Sequence, residues 1–533
     1  MTVANWVEEE LGTVDLKHKR RNSRLKRLVS DLAAMPAASI PAAVGGGHAE
    51  TTAAYRFFDN PNVEFDAILA PHREATLARI RQHKSVILIQ DTTEIDVTRP
   101  EQQVAETGPL DQGARRGFFV HPLIALSTEG VPLGTLSAHH WSREDSPPLT
   151  ETKPKKKTKE QAKKDKAARD KLRKSIPIED KESLRWVTTL QEAHAVAAQI
   201  PDTEMIVVAD SESDIYEYID AGQSVAYEAN EANEDEAGED EAGEDADAAS
   251  TLCDETPPKT RAQWIVRGCQ DRALCVAPGS DSDAATSLSE ALEAGSVLTT
   301  YEVSVRGREQ KVDCETRGRR QARQSRQAIV EVRSCAVVLR APYRPDRKLP
   351  DVPVNAVLVR EIAPPEGEEP IEWLLLTSLP ITTTEEVLRV IQTYCLRWMI
   401  EIYFRVLKQG CRIEWRRFEH LDRLTRYLAV ALLVSWRTLY VTRLGREFPD
   451  LDCEAVFEAS EWKAVYQVTQ KQTPPETPPK LQEMVRMVAQ LGGYVNRPRS
   501  DEPGSETIWK GLQRMHDMAL CWDLFGPGNL EKG

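Results

Sequence analysis

Two short apolar runs, each closed by an aspartate, constrain this chain more than any other feature. Val86-Ile-Leu-Ile-Gln90 leads into Asp91, and Met205-Ile-Val-Val-Ala209 leads into Asp210. Runs of this length, rich in β-branched residues and bounded by polar ones, read as buried strands. Two strands that each end in a carboxylate call for a third acidic partner. Two more strands are expected between Phe118 and His140, separated by a turn at Glu129-Gly130.

The first eighty residues read as helices. Lys17-His-Lys-Arg-Arg21, Arg24, Lys26 and Arg27 form a basic cluster on a segment whose apolar positions, Leu25, Leu28, Val29 and Leu32, recur at helical spacing. Arg20, Arg24 and Arg27 suit a phosphate backbone, and equally suit a solvated surface helix. Beyond residue 260, QWIVRG, VLTTYEVSV, AIVEVRSCAVVLRA, VNAVLVREI and IEWLLLTSLP look like successive strands, forming an all-β region between Trp264 and about Ile362. Thr383 and Glu386 have capping-box spacing and predict the start of a long helix that can run to Gly410.

Tyr394, Arg397, Glu401 and Lys408 fall on that helix at separations of three, four and seven residues, which places them on one face. Val387, Ile391, Cys395, Ile402 and Val406 would supply the apolar face beside it. A carboxylate between cations is compatible with an ordinary ion-paired surface. With Asp91 and Asp210 it also makes a set of hard oxygen donors for divalent cations, as phosphodiester chemistry requires.

Charge alone does not identify a partner. The formal net charge is −15, but thirteen acids between Glu228 and Glu255, with no base among them, account for all but about two of those charges. The acidic tract reads as disordered. Between Lys153 and Lys174 the bias reverses, with twelve Lys or Arg against three acids. A chain of 533 residues predicts two to four structural units. The N-terminus lacks a secretory pattern and no apolar stretch is long enough for a membrane span, so an intracellular protein is expected. Nine scattered cysteines without a C-x-x-C pair predict reduced, mostly packed thiols, and His139, His140 and His420 lack the spacing of a zinc site.

Taken together, these motifs resemble the DDE transposases of the insertion-sequence-four family. The resemblance is carried by GHAETTAAYRFFDNPNV, DTTEIDV at Asp91, DSESDIYEYI at Asp210 and EWLLLTSLP at Trp373. The Tyr394, Arg397, Glu401, Lys408 series follows, then LGGY near Gly492 and Trp509 to Leu512.

It implies an α/β fold: a ribonuclease-H-like catalytic core with a β-rich insertion, flanked by N-terminal and C-terminal helical domains. The expected divisions are an end-binding helical domain at 1–75, a first core segment at 76–221 containing the Lys-rich insertion 152–178, and an acidic insertion at 222–258. A β-rich subdomain at 259–364, a second core segment at 365–445 and a dimerisation domain at 446–533 complete the chain. Asp91, Asp210 and Glu401 are then the catalytic residues and hold two Mg²⁺ ions, with Mn²⁺ able to substitute. Tyr394, Arg397 and Lys408 contact DNA phosphates, Arg267 contacts DNA from the insertion, and Trp373 stacks on a flipped base, although a core tryptophan fits the sequence equally well.

The implied activity is cut-and-paste transposition. A homodimer binds double-stranded DNA at terminal inverted repeats, nicks it, closes and reopens a hairpin, and joins 3′-hydroxyl ends to target DNA. A bacterial cytoplasm, with no membrane association, is expected. The rivals are a nuclease that does not transfer strands and a silent relative that binds ends without cutting.

Overall fold

The computed structural model describes residues 4–99, 103–111, 114–145, 176–223, 261–275, 285–305, 324–345, 347–368, 370–495 and 502–526. The Lys-rich segment and the acidic tract lie outside the described residues. The chain divides into two compact units, one of Met1–Thr152 with Trp398–Gly533 and one of Lys153–Arg397. Both mix helices and strands, and helices dominate the two ends of the chain.

In the first unit five helices, from Asn5–Glu10 to Phe65–Ile80, precede strands β1 (Ser85–Gln90), β2 (Thr93–Asp96), β3 (Gly108–Pro109), β4 (Arg116–Ser127) and β5 (Pro132–Trp141). β4 is the centre of this antiparallel group and pairs with the other four. β1 and β2 share one register along β4, since Gln90 faces Leu123 and Thr93 faces Val120. Asp91 and Thr92 fall in the gap between them, and in that register Asp91 stands opposite Pro122. Proline has no N–H to give to a ladder, so pairing lapses where the aspartate must turn away from the sheet.

Helix Phe65–Ile80 lies against β5 at Gly134, whose φ is 153°. A Cβ there would come within 1.8 Å of Thr76 Oγ1, so glycine is what permits the close approach.

The second stretch of this unit is built on helix Leu421–Glu447, which is buried around most of its circumference. It draws the N-terminal helices in through Arg426, whose guanidinium donates to the carbonyls of Val63 at 2.7 Å and Phe58 at 2.9 Å. Trp436 Nε1 donates to Pro132 O at 2.9 Å. The last helices, Ala459–Gln470, Leu481–Leu491 and Ser505–Phe525, close over a core that includes Trp462, Met484, Val488 and Ile508.

The second unit is one sheet with helices. β6 (Glu204–Ala209) pairs in parallel with β7 (Gln263–Gly268). β11 (Glu372–Thr377), β10 (Val352–Glu361), β9 (Arg326–Leu339) and β8 (Thr299–Val305) then follow in that spatial order, all antiparallel. Every strand expected beyond residue 260 is present, and β7 ties that region directly to β6.

Helix Thr384–Cys395 starts with the expected capping box, Thr383 accepting from the Glu386 N–H and Glu386 returning the bond. The single helix expected to continue to Gly410 does not form. Leu396–Trp398 tightens to a 3-10 turn, Met399–Arg405 returns to α-helix, and Val406–Gly410 widens to a π-helix. A 3-10 turn advances about 120° per residue and an α-helix about 100°, so the pitch of the expected single helix is not kept through this stretch. The apolar face is corrected too: Val387, Ile391 and Val406 are buried, whereas Cys395 is exposed and Ile402 only half-buried. The cysteines are less packed than expected, since Cys269, Cys395 and Cys521 are exposed.

Candidate active site

Each carboxylate is positioned by a distinct local device. At the end of β1, Asp91 Oδ1 accepts the Thr92 N–H at 2.7 Å. Beneath it runs a buried polar relay. Thr92 Oγ1 lies 2.8 Å from His121 Nδ1, and His121 Nε2 lies 3.1 Å from Gln90 Oε1. Gln90 and His121 are wholly buried. The partners suit a neutral imidazole that donates from Nε2 and accepts the threonine hydroxyl at Nδ1. Neither His121 nor Pro122 was anticipated as part of a site, although a histidine-proline pair inside an apolar strand was the available signal.

Glu401 is half-buried on the short helix Met399–Arg405. Two residues on, Tyr403 fixes that helix in place: its hydroxyl donates to Leu432 O at 3.0 Å and lies 3.1 Å from Thr135 Oγ1. Full burial raises the Tyr403 phenol above its ordinary range, so it stays a neutral donor.

Lys408 follows on the π-helix, with Nζ 3.7 Å from Glu414 Oε1, a carboxylate that also accepts the Asp96 N–H at 3.2 Å. Burial raises the Glu414 carboxyl, opposed by Lys408. Lys408 is therefore engaged within the protein rather than extended alone.

In the second unit Asp210 caps the 3-10 turn Ser211–Ser213, Oδ1 accepting the Glu212 N–H at 2.9 Å. Asp214, fully buried, anchors the turn after β7. Its Oδ2 accepts the N–H groups of Cys269 at 2.7 Å and Gln270 at 3.0 Å, and its Oδ1 pairs with the Arg272 guanidinium. Because Ala209 is in register with Val266, Asp210 leaves β6 one step on, beside Arg267.

Arg267 faces Leu375 across β7 and β11, on the same face as Trp373 two residues earlier. Arg267 Nη2 donates to Glu372 O at 3.3 Å. The Trp373 ring is half-buried, 6.0 Å from the Tyr394 ring at an interplanar angle of 57°. Burial raises the Tyr394 phenol, an effect opposed by the neighbouring Arg397 and Arg267 cations and reinforced by Asp210. Asp210, Arg267, Trp373, Tyr394 and Arg397 thus form one neighbourhood within this unit.

In the N-terminal basic helix two of the three arginines form ion pairs within the protein. Leu25, Leu28, Val29 and Leu32 are buried as predicted. Arg24, however, pairs with Glu50 at 2.7 Å, and Arg27 lies 3.6 Å from Glu50 and 4.0 Å from Asp31. Of the three arginines expected to face DNA, Arg20 is exposed and Arg24 and Arg27 are half-buried. Among the histidines, His140 packs on Phe65 at 4.6 Å and His420 lies 3.3 Å from Glu106.

Among the described residues no group of three or more His, Cys, Asp or Glu side chains is gathered as a metal-holding cluster. The donor chemistry of Asp91, Asp210 and Glu401 still fits hard divalent cations, since all three offer carboxylate oxygen. No helix among the described residues is long and apolar enough to cross a membrane.

Residues 149–437, more than half the chain, match the transposase DDE domain. The chain belongs to the DDE transposase family. Asp210 and Glu401 lie inside the matched span of this transposase, and Asp91 precedes it. Residues 3–63 match the transposase DNA-binding family, and residues 433–520 match the transposase Tn5 dimerisation domain.

Among solved structures, the transposase is similar to a piggyBac transposase synaptic complex with hairpin DNA, at 8% identity and a TM-score of 0.27. That match covers 71% of this chain and 53% of the other, so it spans about half of that protein's length. Likeness at that level does not define a fold.

Proposed function

We propose that this transposase is a cut-and-paste enzyme of the insertion-sequence-four family, nearest in kind to the transposase of transposon five, with Asp91, Asp210 and Glu401 as its catalytic carboxylates. The observation that carries the reading is the neighbourhood around Asp210, where a strand-end carboxylate stands beside Arg267, Tyr394, Arg397 and the Trp373 ring, within the span that matches the DDE domain. The ribonuclease-H-like core is supported by two partial patterns: the antiparallel group β1–β4–β5 in one unit, and the parallel pair β6–β7 flanked by helices in the other.

The three carboxylates would hold two Mg²⁺ ions, or Mn²⁺ in their place. When bound, these lower the pKa of an attacking water and neutralise charge on the phosphate. Arg397 and Lys408 hold phosphate oxygens near the cut, and Tyr394, kept protonated by its burial, donates a hydrogen bond to one. Arg267 anchors the strand on the far side, and Trp373 offers an aromatic face to a base leaving the stack, a contact worth roughly 1–3 kcal/mol. That stacking relieves the strain of a hairpin formed when the freed 3′-hydroxyl attacks the opposite strand. After reopening, the same hydroxyl attacks target DNA. The N-terminal helices bind the terminal inverted repeats, and the C-terminal helices pair two subunits so that each cuts the end bound by the other.

Labelled DNA carrying the element's own terminal repeats, incubated with Mg²⁺ or Ca²⁺, tests the reading directly. We expect Mg²⁺-dependent 3′-hydroxyl ends and hairpins, lost in Glu401→Ala while binding persists. Specific binding without cleavage by the unaltered protein would favour a silent end-binding relative instead.

A further inference from the structure

The turn that follows Lys408 displays one large aromatic to solvent while the residues around it are pinned. Ile413–Trp415 form a 3-10 turn entered through Arg412 in the left-handed region, at φ 51°. Ile413 is wholly buried, and Glu414 points inward to the Asp96 N–H and Lys408. Arg416 is 6% exposed; its guanidinium donates to the carbonyls of Pro36 at 2.7 Å, Cys411 at 2.7 Å and Ala38, and lies over the Tyr427 ring at 4.7 Å. Arg99 donates in turn to the carbonyls of Arg416 and, at 3.0 Å, Phe418. Trp415, in the middle of this fixed segment, is 79% exposed.

Tryptophan carries more apolar surface than any other side chain, and a loop tied at this many points does not leave it in water through slackness. Its setting is cationic. Arg412 and Arg417, three residues before it and two after, are exposed, and among the described residues neither pairs with a carboxylate. Arg417 is close enough to Arg99 to add to the lowering of the Arg99 guanidinium by burial, a sign of positive charge without local compensation. Glu419 leans the other way, 3.8 Å from Arg423.

We propose that Trp415 is a stacking platform for a DNA base exposed where a duplex is bent or opened, with Arg412 and Arg417 on the flanking phosphates. An aromatic face accepts any base, and guanidinium groups around it attract the backbone. A protein partner would want an apolar rim around such an anchor, whereas this rim is basic. A fully paired duplex shows no free base face, so the platform acts only where pairing or stacking is broken. The proposal rests on the transposase reading and adds an aromatic contact in the first unit that is separate from Trp373.

The test uses the full-length protein and two probes: a fully paired duplex carrying the element's terminal repeats, and the same duplex with several bases left unpaired. Trp415→Ala should weaken binding of the opened probe roughly tenfold and barely change the paired one, while Trp415→Phe keeps most of the affinity. Arg412→Ala and Arg417→Ala should weaken both probes, each lowering the salt slope by about one. Equal affinity of Trp415→Ala and the unaltered protein for the opened probe overturns the proposal. So does a change in sedimentation with DNA binding intact, which would make Trp415 a protein contact. Failure of the unaltered protein to bind or cut either probe would overturn the transposase reading and this proposal with it.

Discussion

The two compact units hold their acidic residues by opposite means. In the first, the elements bearing Asp91 and Glu401 are fixed by neutral groups: the Gln90–His121–Thr92 relay under one, and the Tyr403 hydroxyl behind the other. In the second, Asp210 sits among charges, with Arg267 and Arg397 near its face and the Asp214–Arg272 pair locking the turn beside it. Neutral buried hydrogen bonds hold a shape without themselves adding charge, which suits the cation-binding role proposed for these two carboxylates. Cations beside a carboxylate suit the phosphate site proposed there. The contrast suggests a division of labour, with rigidity in one unit and substrate electrostatics in the other.

The largest effect is common to both units. Asp210→Asn and Glu401→Gln should each reduce strand cleavage roughly 10⁴-fold, equivalent to about 5.5 kcal/mol of barrier, with end binding retained in a mobility-shift titration. A variant that cut at nearly the normal rate would remove that residue from the catalytic set.

The contrast itself is tested by stability. Asp214→Ala leaves Arg272 buried without its partner and should cost about 3 kcal/mol in denaturant unfolding, more than any single neutral change in the first unit. Tyr403→Phe removes one hydroxyl that serves two partners and should cost about 1–2 kcal/mol in the same measurement. If Tyr403→Phe proved the more damaging, the assignment of rigidity by charge type would be wrong.

The smallest effect separates the roles most finely. Arg397→Ala should weaken DNA binding a few-fold and flatten its dependence on log salt by about one, whereas His121→Gln should leave that slope unchanged. A slope change in His121→Gln would show that the relay carries charge after all.

Much of this arrangement is legible in the sequence. Strands β1 and β6 declare themselves because a short run of four or five apolar residues leading to an aspartate has few other ways to be buried, and Thr383 with Glu386 marks a helix start through local bonds alone. The break at Leu396–Trp398 was invisible because all three residues are compatible with an α-helix, so no pattern of polarity records a change of pitch. The occupation of Arg24 and Arg27 by Glu50 was hidden for another reason: the partner is on a different helix, and pairing across that distance depends on tertiary packing. Trp415 gives no sequence signal of its own, because a tryptophan between Glu414 and Arg416, with Ile413 two residues before and Phe418 three after, fits a packed position as well as an exposed one. Its exposure follows from Arg416 taking the inward place.

The first unit is closed by bonds between distant stretches of the chain. Trp436 reaches Pro132, Tyr403 reaches Thr135, Arg426 reaches Val63 and Phe58, and Arg416 reaches Pro36 and Ala38. During synthesis the earlier partner in each pair leaves the ribosome long before the later one exists. At about 5–20 residues per second, the ribosome spends roughly ten to fifty seconds on the intervening unit. A nascent or prematurely terminated chain therefore carries Asp91 but neither Glu401 nor the helix that completes its fold. The proposed catalytic set is thus incomplete until the last part of the first unit has been made.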